Sequence, residues 1–292
     1  MKKYLKCVLP PILLIILFSC MNSEKSSQVH IEQHVNFKSD FVTPRNVEVM
    51  LPPGYMNDEA QQYDVIYMHD GQNVFHSETA YAGVAWQVDK AMVKLLIEAD
   101  IRPAIIVAIW NSPLRMNEYM PAKPRDLVRE RADREGWEGE LLSDNYLKFI
   151  VEELKPFIDS TYNTSLNREN TFIMGSSMGG LISLYALSEY PDVFGGAACL
   201  STHWPALNGV SLDYLKTDLP VAGNHKLYFD FGTATLDSLY DPYQQKADKI
   251  IMEKDYTYQK DWITLKFEGA DHSEKSWQER VHIPLSFLLQ KE

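Results

Sequence analysis

The sequence predicts a three-layer α/β fold with a mostly parallel central sheet. Apolar runs of strand length recur along the chain, and segments with helical periodicity separate them. One run, 104–110, is apolar almost throughout, as expected for a central strand that is covered on both faces. Strands that alternate with helices are typical of a parallel sheet between two helical layers, and ligands bind such sheets at the carboxyl edge of the strands.

The composition indicates a folded chain without a nucleic-acid partner. The 292 residues are 45% apolar, which is too hydrophobic for a disordered chain. Acidic residues outnumber basic residues 40 to 28, so the net charge is −12. Because nonspecific binding to nucleic acid needs clustered Lys and Arg, this charge argues against such a partner.

The N terminus has the layout of a secretory signal peptide. Three lysines precede an apolar run at 7–18, which is too short to span a bilayer as a helix. Residues 17–20 further resemble a bacterial lipoprotein cleavage box, in which Cys20 becomes the lipidated first residue of the mature chain. We therefore expect a signal peptide at 1–19 and a protein anchored in the bacterial cell envelope. An ordinary signal peptide or an uncleaved anchor is the alternative.

Cleavage before Cys20 would remove three lysines and change the net charge from −12 to −15. The polar, short-sided residues that follow predict a flexible tether at 20–34, and we expect the folded domain at 35–292. Within that domain Cys199 is the single cysteine. It lies in an apolar stretch and is therefore predicted to be a small core residue without a disulfide.

The strands and helices can be assigned in order along the chain. Asp144 opens a helix at 144–159, with apolar residues at steps of three and four, and a second helix at 181–190 stops at Pro191. The charged stretch 112–143 departs from the alternation and is either a solvated surface excursion or one wall of an active-site mouth. The predicted strands are 47–51, 65–68, 104–110, 171–174, 197–200, 227–231 and 263–267.

A G-x-S-x-G motif gives the clearest chemical signal. An apolar strand leads into Gly175, Ser177 and Gly179, and a helix follows. A nucleophilic serine needs such a tight turn, because its hydroxyl must be exposed while the strand and helix approach closely. Ser177 is the predicted nucleophile, and the N–H of Met178 at the helix N terminus is the predicted first oxyanion donor.

The base that activates the serine should be a histidine further along the chain. His203 lies only 26 residues after Ser177, and His225 precedes a strand. His272 lies in a glycine-containing loop after the last predicted strand and before a final amphipathic helix. That is the position expected of the base, so His272 is the predicted one.

The acid should follow the strand 227–231. Asp230, Asp237 and Asp241 all have the required side chain. Asp230 lies within the strand pattern, where a structural role is expected, whereas Asp237 lies on the loop. We therefore favour Asp237, with Asp230 and Asp241 as alternatives.

A second oxyanion donor is expected on the loop after an early strand. The strand 65–68 ends in a glycine turn, which makes the N–H of Gln72 the candidate. His69 and Asp70 have a simpler interpretation as groups that stabilise this turn. A metal bound by His69 and His76 is the other alternative, but no further ligand clusters with them, so we expect no metal.

These motifs together resemble the bacterial putative esterase family of α/β-hydrolases. Feruloyl and acetylxylan esterases, enterochelin esterases, S-formylglutathione hydrolase and the mycobacterial mycolyltransferases belong to it. The resemblance covers about residues 35–290 and implies an α/β-hydrolase fold, a triad of Ser177, Asp237 and His272, and the amides of Gln72 and Met178 as the oxyanion hole. The segments that carry it are 68–73, 174–181, 231–233 with Asp237, and 271–274 with Trp277.

We therefore expect an exported serine esterase that needs no cofactor and acts on a small-molecule or glycan ester. Aromatic side chains on the predicted catalytic loops suit a sugar or a phenolic acyl group, so a carbohydrate ester is the first expectation. An acyltransferase with the same triad and an inactive glycan-binding surface lipoprotein are the alternatives. The residues expected to shape the pocket are Trp86, Trp110, Asn111, Arg115, Tyr119, His203 and Trp204.

Overall fold

A computed structural model describes residues 29–57, 60–98, 101–223 and 225–291. The predicted signal peptide at 1–19, the predicted lipidation site Cys20 and the tether as far as residue 28 lie outside the described residues. Across the described ranges, none of the helices combines the length and the apolar character that crossing a membrane requires.

An eight-stranded, mostly parallel sheet forms the centre of the molecule, as predicted. The strands are β1 (His30–Phe37), β2 (Arg45–Leu51), β3 (Asp64–Met68), β4 (Ala104–Ile109), β5 (Thr171–Ser176), β6 (Gly196–Leu200), β7 (Lys226–Gly232) and β8 (Trp262–Phe267). Their order in the sheet is β1-β2-β4-β3-β5-β6-β7-β8. Only the pairings β1 with β2 and β2 with β4 are antiparallel within this sheet.

The first strand begins inside the stretch that the sequence predicted as a tether. β1 pairs with β2 from His30, opposite Leu51, to Phe37, opposite Arg45. Residues 30–34 therefore belong to the sheet, and the described domain starts earlier than residue 35. β1 lies at the edge of the sheet, and none of its side chains is fully buried. An edge strand of this kind needs no apolar run, so the apolar pattern of the sequence did not predict it.

Helices cover both faces of the sheet. They are α1 (Val88–Glu98), α2 (Arg115–Tyr119), α3 (Arg125–Glu135), α4 (Ser143–Lys148), α5 (Lys155–Thr161), α6 (Met178–Glu189), α7 (Val210–Asp218), α8 (Asp241–Glu253), α9 (Glu274–Arg280) and α10 (His282–Leu289). The helix predicted at 144–159 runs from Ser143 to Thr161 as α4, a π-helical segment (Phe149–Leu154) and α5. The other predicted helix begins at Met178, three residues earlier than expected.

Two hydrophobic cores lie on the two faces of the sheet. Because side chains alternate along a strand, Val65 and Tyr67 of β3 enter one core, and Ile66 and Met68 enter the other. Helices α4 to α8 close the first core, and α1, α9 and α10 close the second. This is the predicted three-layer arrangement, and it explains why the central strands read as unbroken apolar runs.

Both interpretations of the charged stretch 112–143 describe part of it. Helix α3 buries only Val128 and carries an ion pair between Glu130 and Arg134, as a solvated helix does. Helix α2 instead directs Arg115 toward Asp70, on the loop that follows β3. The first part of the stretch therefore reaches the carboxyl edge of the sheet.

Candidate active site

Ser177 stands on the sharp turn between β5 and α6. Its backbone has φ 58° and ψ −120°, a conformation that a non-glycine residue adopts only where its surroundings enforce it. A side chain at Gly175 would place Cβ 2.9 Å from the carbonyl carbon and oxygen of Gly179, so the turn requires glycine there. The result is a partly exposed Ser177 beside a buried Ser176.

The structure brings together the three residues predicted to form the triad. Nε2 of His272 lies 2.9 Å from Oγ of Ser177, and Nδ1 lies 2.5 Å from Oδ1 of Asp237. These contacts fit the imidazole tautomer in which Nδ1–H donates to Asp237 and Nε2 accepts from the serine hydroxyl. A serine, an imidazole and a carboxylate in this order form the arrangement that nucleophilic acyl transfer requires.

Asp237 lies on a short 3₁₀ turn after β7, where three donors, His272, Ser201 and Gly232, hydrogen bond to its buried carboxylate. Its Oδ2 accepts hydrogen bonds of 2.6 Å from both Ser201 Oγ and Gly232 N–H. Burial raises the pKa of Asp237, but hydrogen bonds from His272, Ser201 and Gly232 outweigh that effect and lower it below its usual value. The same turn fixes the histidine loop, since Thr235 Oγ1 accepts from the His272 N–H at 2.9 Å.

The two alternative acids contact other partners. Asp230 is fully buried and accepts hydrogen bonds from Arg280, at 3.0 Å, and from the Tyr228 hydroxyl, at 2.8 Å. Asp241 lies at the surface and pairs with Lys266 at 3.1 Å. Among the three carboxylates, the contact with His272 therefore belongs to Asp237.

Sequence reasoning missed Ser201, which connects the triad to the rest of the fold. Its hydroxyl donates to Asp237 and accepts from Trp277 Nε1, at 3.0 Å, and Arg280 Nη2, at 2.9 Å. The single proton and both lone pairs of the Ser201 hydroxyl are therefore all in hydrogen bonds. The sequence did show a tryptophan, Trp277, in the segment that follows His272. It gave no indication that the ring N–H of this tryptophan would donate to Ser201.

The two candidate oxyanion donors lie on neighbouring elements at the same sheet edge. Met178 is the first residue of α6, where backbone N–H groups have no partner within the helix. Gln72 lies in a 3₁₀ turn (Gly71–Asn73) that follows β3, and β3 pairs with β5. Asn111 contributes to this turn, because its N–H donates to Gln72 Oε1 at 3.2 Å.

An ion pair stabilises the same turn. Asp70 has a left-handed backbone with φ 55° and receives two hydrogen bonds from Arg115, at 2.7 and 2.8 Å. A third comes from Asn111 Nδ2 at 2.6 Å. Burial raises the pKa of Asp70, but the attraction of Arg115 and these hydrogen bonds lower it below its usual value. The carboxylate therefore holds α2 against the turn that carries Gln72.

The pocket assignment is wrong for three of the aromatic residues. Trp86 and Trp204 are 3% and 1% exposed; Trp86 packs on Trp277, and Trp204 donates to Gln244 in the core. Tyr119 is fully buried under the Asp70 turn. The sequence predicted loops for all three residues, whereas Tyr119 is the last residue of α2. Burial of a large aromatic ring in the core is more favourable than its exposure at the surface. The partly exposed candidates are Trp110, Asn111, Arg115 and His203.

His69 and His76, considered above as an alternative metal pair, have different surroundings in the structure. His69 is buried with Nδ1 2.8 Å from the Tyr146 hydroxyl, and burial lowers its pKa to about 3. His76 is exposed. Within the part of the chain that the structure describes, no three His, Cys, Asp or Glu side chains cluster as a metal site would require.

The chain is also similar to known proteins in sequence. A family model described as "Putative esterase" matches residues 39–284. The Bacillus subtilis protein YbbA is 23% identical over 254 residues, which cover 85% of this chain and 93% of YbbA. The ferri-bacillibactin esterase BesA of the same organism is 29% identical over 150 residues, about half of each chain.

A solved structure shows the same fold. It is a ferulic acid esterase from Anaeromyces mucronatus in complex with ferulic acid. The two chains are 21% identical, the TM-score is 0.62, and the match covers 89% of this chain and 91% of the esterase.

Proposed function

Because the chain belongs to the putative esterase family of α/β-hydrolases and is a carboxylic ester hydrolase, we propose that Ser177, His272 and Asp237 form its catalytic triad. The observation that carries this proposal is the continuous hydrogen-bonded line from Ser177 Oγ through His272 to Asp237. A chain of three groups in this order can move the serine proton and stabilise the resulting imidazolium.

In the first half of the reaction, Nε2 of His272 takes the proton from Ser177 as Oγ attacks the ester carbonyl. The carbonyl oxygen becomes an oxyanion, which the N–H groups of Gln72 and Met178 stabilise. His272 then gives the proton to the departing alkoxide, which leaves as an alcohol. The acyl group remains on Ser177 as an ester.

In the second half, water resolves this acyl-enzyme. His272 takes a proton from water, the hydroxide attacks the acyl carbonyl, and the proton returns to Ser177 Oγ as the acid departs. Asp237 stays ionised and orients the imidazole in both halves, in keeping with its lowered pKa. Every proton is thus accounted for by side chains and water, and no cofactor is needed.

We propose a carbohydrate ester as the substrate, with a phenolic or acetyl acyl group. The similarity to a ferulic acid esterase supports a phenolic acyl group. The partly exposed Trp110, which follows β4, offers an aromatic ring to a sugar. An acyltransferase would use the same triad but pass the acyl group to an alcohol.

A panel of p-nitrophenyl, feruloyl-sugar and acetylated-sugar esters tests this proposal, with Ser177→Ala beside the matched Ser176→Ala. We expect hydrolysis by the wild type and by Ser176→Ala, and a loss of roughly 10⁶ in kcat for Ser177→Ala. Transfer to an added alcohol in preference to water would indicate an acyltransferase. Glycan binding without cleavage of any ester would overturn the enzymatic assignment.

We also propose that the protein is exported and held to a bacterial membrane by a lipid on Cys20. The basic and apolar N-terminal segment and the cleavage-box resemblance support this. Wild type and Cys7→Ser should fractionate with membranes and label with a palmitate analogue, because residue 7 lies in the removed segment. Cys20→Ser should do neither, and persistent labelling of that variant would contradict the proposal.

A further inference from the structure

Two ion pairs of the same kind flank strand β3. Asp64 begins the strand and accepts a 2.7 Å hydrogen bond from Arg102. Asp70 follows the strand and accepts two hydrogen bonds from Arg115, at 2.7 and 2.8 Å. In both pairs the arginine side chain is 27% exposed and the carboxylate side chain 6%. Only the second pair lies at the carboxyl edge of the sheet, where the neighbouring β5 leads into Ser177.

Asp70 sets the direction in which the chain leaves β3. Its backbone is left-handed, with φ 55° and ψ 46°, a conformation that residues other than glycine seldom adopt. Its N–H donates to the Tyr119 hydroxyl at 3.3 Å, and its carbonyl accepts from the N–H of Asn73 at 2.9 Å. Gln72 lies between Asp70 and Asn73. The direction of the Gln72 N–H therefore depends on the conformation of Asp70.

The carboxylate of Asp70 is held from the segment that follows β4. Arg115 contacts both of its oxygens, with Nε on Oδ1 and Nη2 on Oδ2. Asn111 Nδ2 donates to Oδ1 at 2.6 Å, and the backbone N–H of Asn111 donates to Gln72 Oε1 at 3.2 Å. The same segment thus fixes the Asp70 carboxylate and the Gln72 side chain.

The Asp70 carboxylate also packs on the helix that carries the other proposed oxyanion donor. A Cβ placed on Gly179, in the first turn of α6, would lie 3.6 Å from Oδ2 of Asp70. Met178, whose N–H is that donor, is the residue before Gly179. The carboxylate therefore lies between the turn of Gln72 and the start of α6. Both N–H groups must point at one oxygen, and a displacement of about 1 Å in such a site can cost roughly 10² in rate.

Arg115 also balances the charge next to the proposed oxyanion hole. Asp70 is buried, and its negative charge lies between the two elements that supply the donors. An unpaired carboxylate there would repel the negative charge that develops on the ester oxygen. The guanidinium cancels this charge while it fixes the side chain.

We propose that Arg115 is a positioning residue for the oxyanion hole, which acts through Asp70 to fix the N–H of Gln72 relative to the N–H of Met178. This inference rests on the proposed function, in which these two N–H groups stabilise the oxyanion formed by attack of Ser177. Arg115 itself does not touch the reacting atoms.

The first test compares Arg115→Met with the matched control Arg102→Met in the whole protein, with p-nitrophenyl acetate as the substrate. Outright removal of an oxyanion donor costs about 10²–10³ in kcat, and a displaced donor should cost less. We expect kcat about tenfold lower in Arg115→Met, with KM within twofold. Arg102 also donates to two backbone carbonyls, so its loss should lower the melting temperature at least as much and leave kcat unchanged.

Arg115→Lys is a second variant for the case in which the methionine variant does not fold. It keeps the positive charge, but an ammonium cannot match both oxygens of Asp70 as a guanidinium does. We expect its kcat to lie between the values of the wild type and Arg115→Met.

A transition-state analogue provides a readout that a merely structural role would not move. Ser177 Oγ adds to the carbonyl carbon of phenyl trifluoromethyl ketone, the serine proton passes to His272, and the ketone oxygen becomes an oxyanion in the proposed hole. We expect Arg115→Met to weaken inhibition by this ketone by about the factor lost in kcat/KM. Inhibition by the corresponding alcohol, which forms no oxyanion, should stay within twofold.

Three results would overturn this inference. One is a kcat within twofold of the wild type in Arg115→Met or, failing that variant, in Arg115→Lys. The second is a higher KM with unchanged kcat, which would show that Arg115 binds the substrate directly. The third is an equal loss of inhibition by the ketone and by the alcohol. An active Ser177→Ala variant would instead refute the proposed function, whereas an inactive one beside a normal Arg115→Met would refute the role of Arg115 alone.

Discussion

Ser201 donates a 2.6 Å hydrogen bond to Oδ2 of Asp237, the carboxylate oxygen that does not contact His272. Ser201 follows β6 and has a left-handed backbone with φ 40°. Its hydroxyl also accepts from Trp277 and Arg280 of α9. The proposed triad acid is thus fixed from β6 and from α9, as well as from its own turn after β7.

Replacing Ser201 should therefore lower activity without removing the triad. In Ser201→Ala, Asp237 loses one hydrogen bond, and the buried Trp277 and Arg280 donors lose an acceptor. We expect a kcat roughly tenfold lower and a loss of about 1–3 kcal/mol in the free energy of unfolding. Ser188→Ala is the control, because that buried hydroxyl bonds only within α6. Equal effects of the two substitutions on kcat would contradict the role given to Ser201.

Asp237→Asn should keep the fold and lose turnover. The amide retains the shape of the side chain but favours the wrong imidazole tautomer at His272. We expect kcat to fall by about 10² for an ester with a good leaving group, and by up to roughly 10⁴ for a poor one, with KM little changed. Steady-state kinetics with both kinds of ester check this. Full activity in a correctly folded variant would show that another group orients His272.

Asp230→Asn should instead lose stability and keep its turnover. The substitution leaves the buried guanidinium of Arg280 without its carboxylate, and breaking a buried ion pair in this way costs about 3–5 kcal/mol. Denaturant unfolding should reveal the loss, while kcat per folded molecule stays close to that of the wild type. A fully stable Asp230→Asn with the larger loss of kcat would move the acid onto β7.

Acid should destabilise the protein partly through His69. Burial lowers its pKa to about 3 in the folded state from an ordinary value of 6.5, so the unfolded chain binds a proton that the folded protein does not. Stability attributable to this group is complete above pH 6.5 and falls as the pH decreases from 6.5 toward 3, by up to about 1.4 kcal/mol per pH unit.

Urea unfolding of the wild type and His69→Gln at several pH values tests this sign. The variant loses the contact with Tyr146 and should be less stable at pH 7. The difference in the free energy of unfolding between the wild type and His69→Gln should become smaller as the pH falls below 6.5. A difference that is constant or grows toward acid would show that His69 takes up a proton in the folded state.

The sequence allowed the sheet, the nucleophile turn and the positions of His272 and Asp237 to be predicted, because each depends on a local pattern. The glycines around Ser177 indicate a tight turn. Because β7 and β8 are parallel neighbours, the loops that follow them lie at the same edge of the sheet. Neighbouring residues along the chain carry all of that information.

Other features depend on distant contacts that no local pattern reports. Ser201 and Arg280 are 79 residues apart, and His203 and Tyr240 are 37 apart. Burial of Trp204 likewise depends on Gln244 reaching its ring nitrogen. The edge strand β1 was not predicted for a different reason. No side chain of β1 is fully buried, so its sequence lacks the apolar run by which the other strands were recognised.

Mass mapping of the covalent adduct left by a fluorophosphonate tests most directly whether Ser177 is the nucleophile. We predict one adduct on Ser177 in the wild type and in Ser176→Ala, none in Ser177→Ala, and labelling at least 10²-fold slower in His272→Ala. An adduct on Ser176, or ester hydrolysis by a Ser177→Ala variant that the reagent leaves unmodified, would contradict the proposed triad.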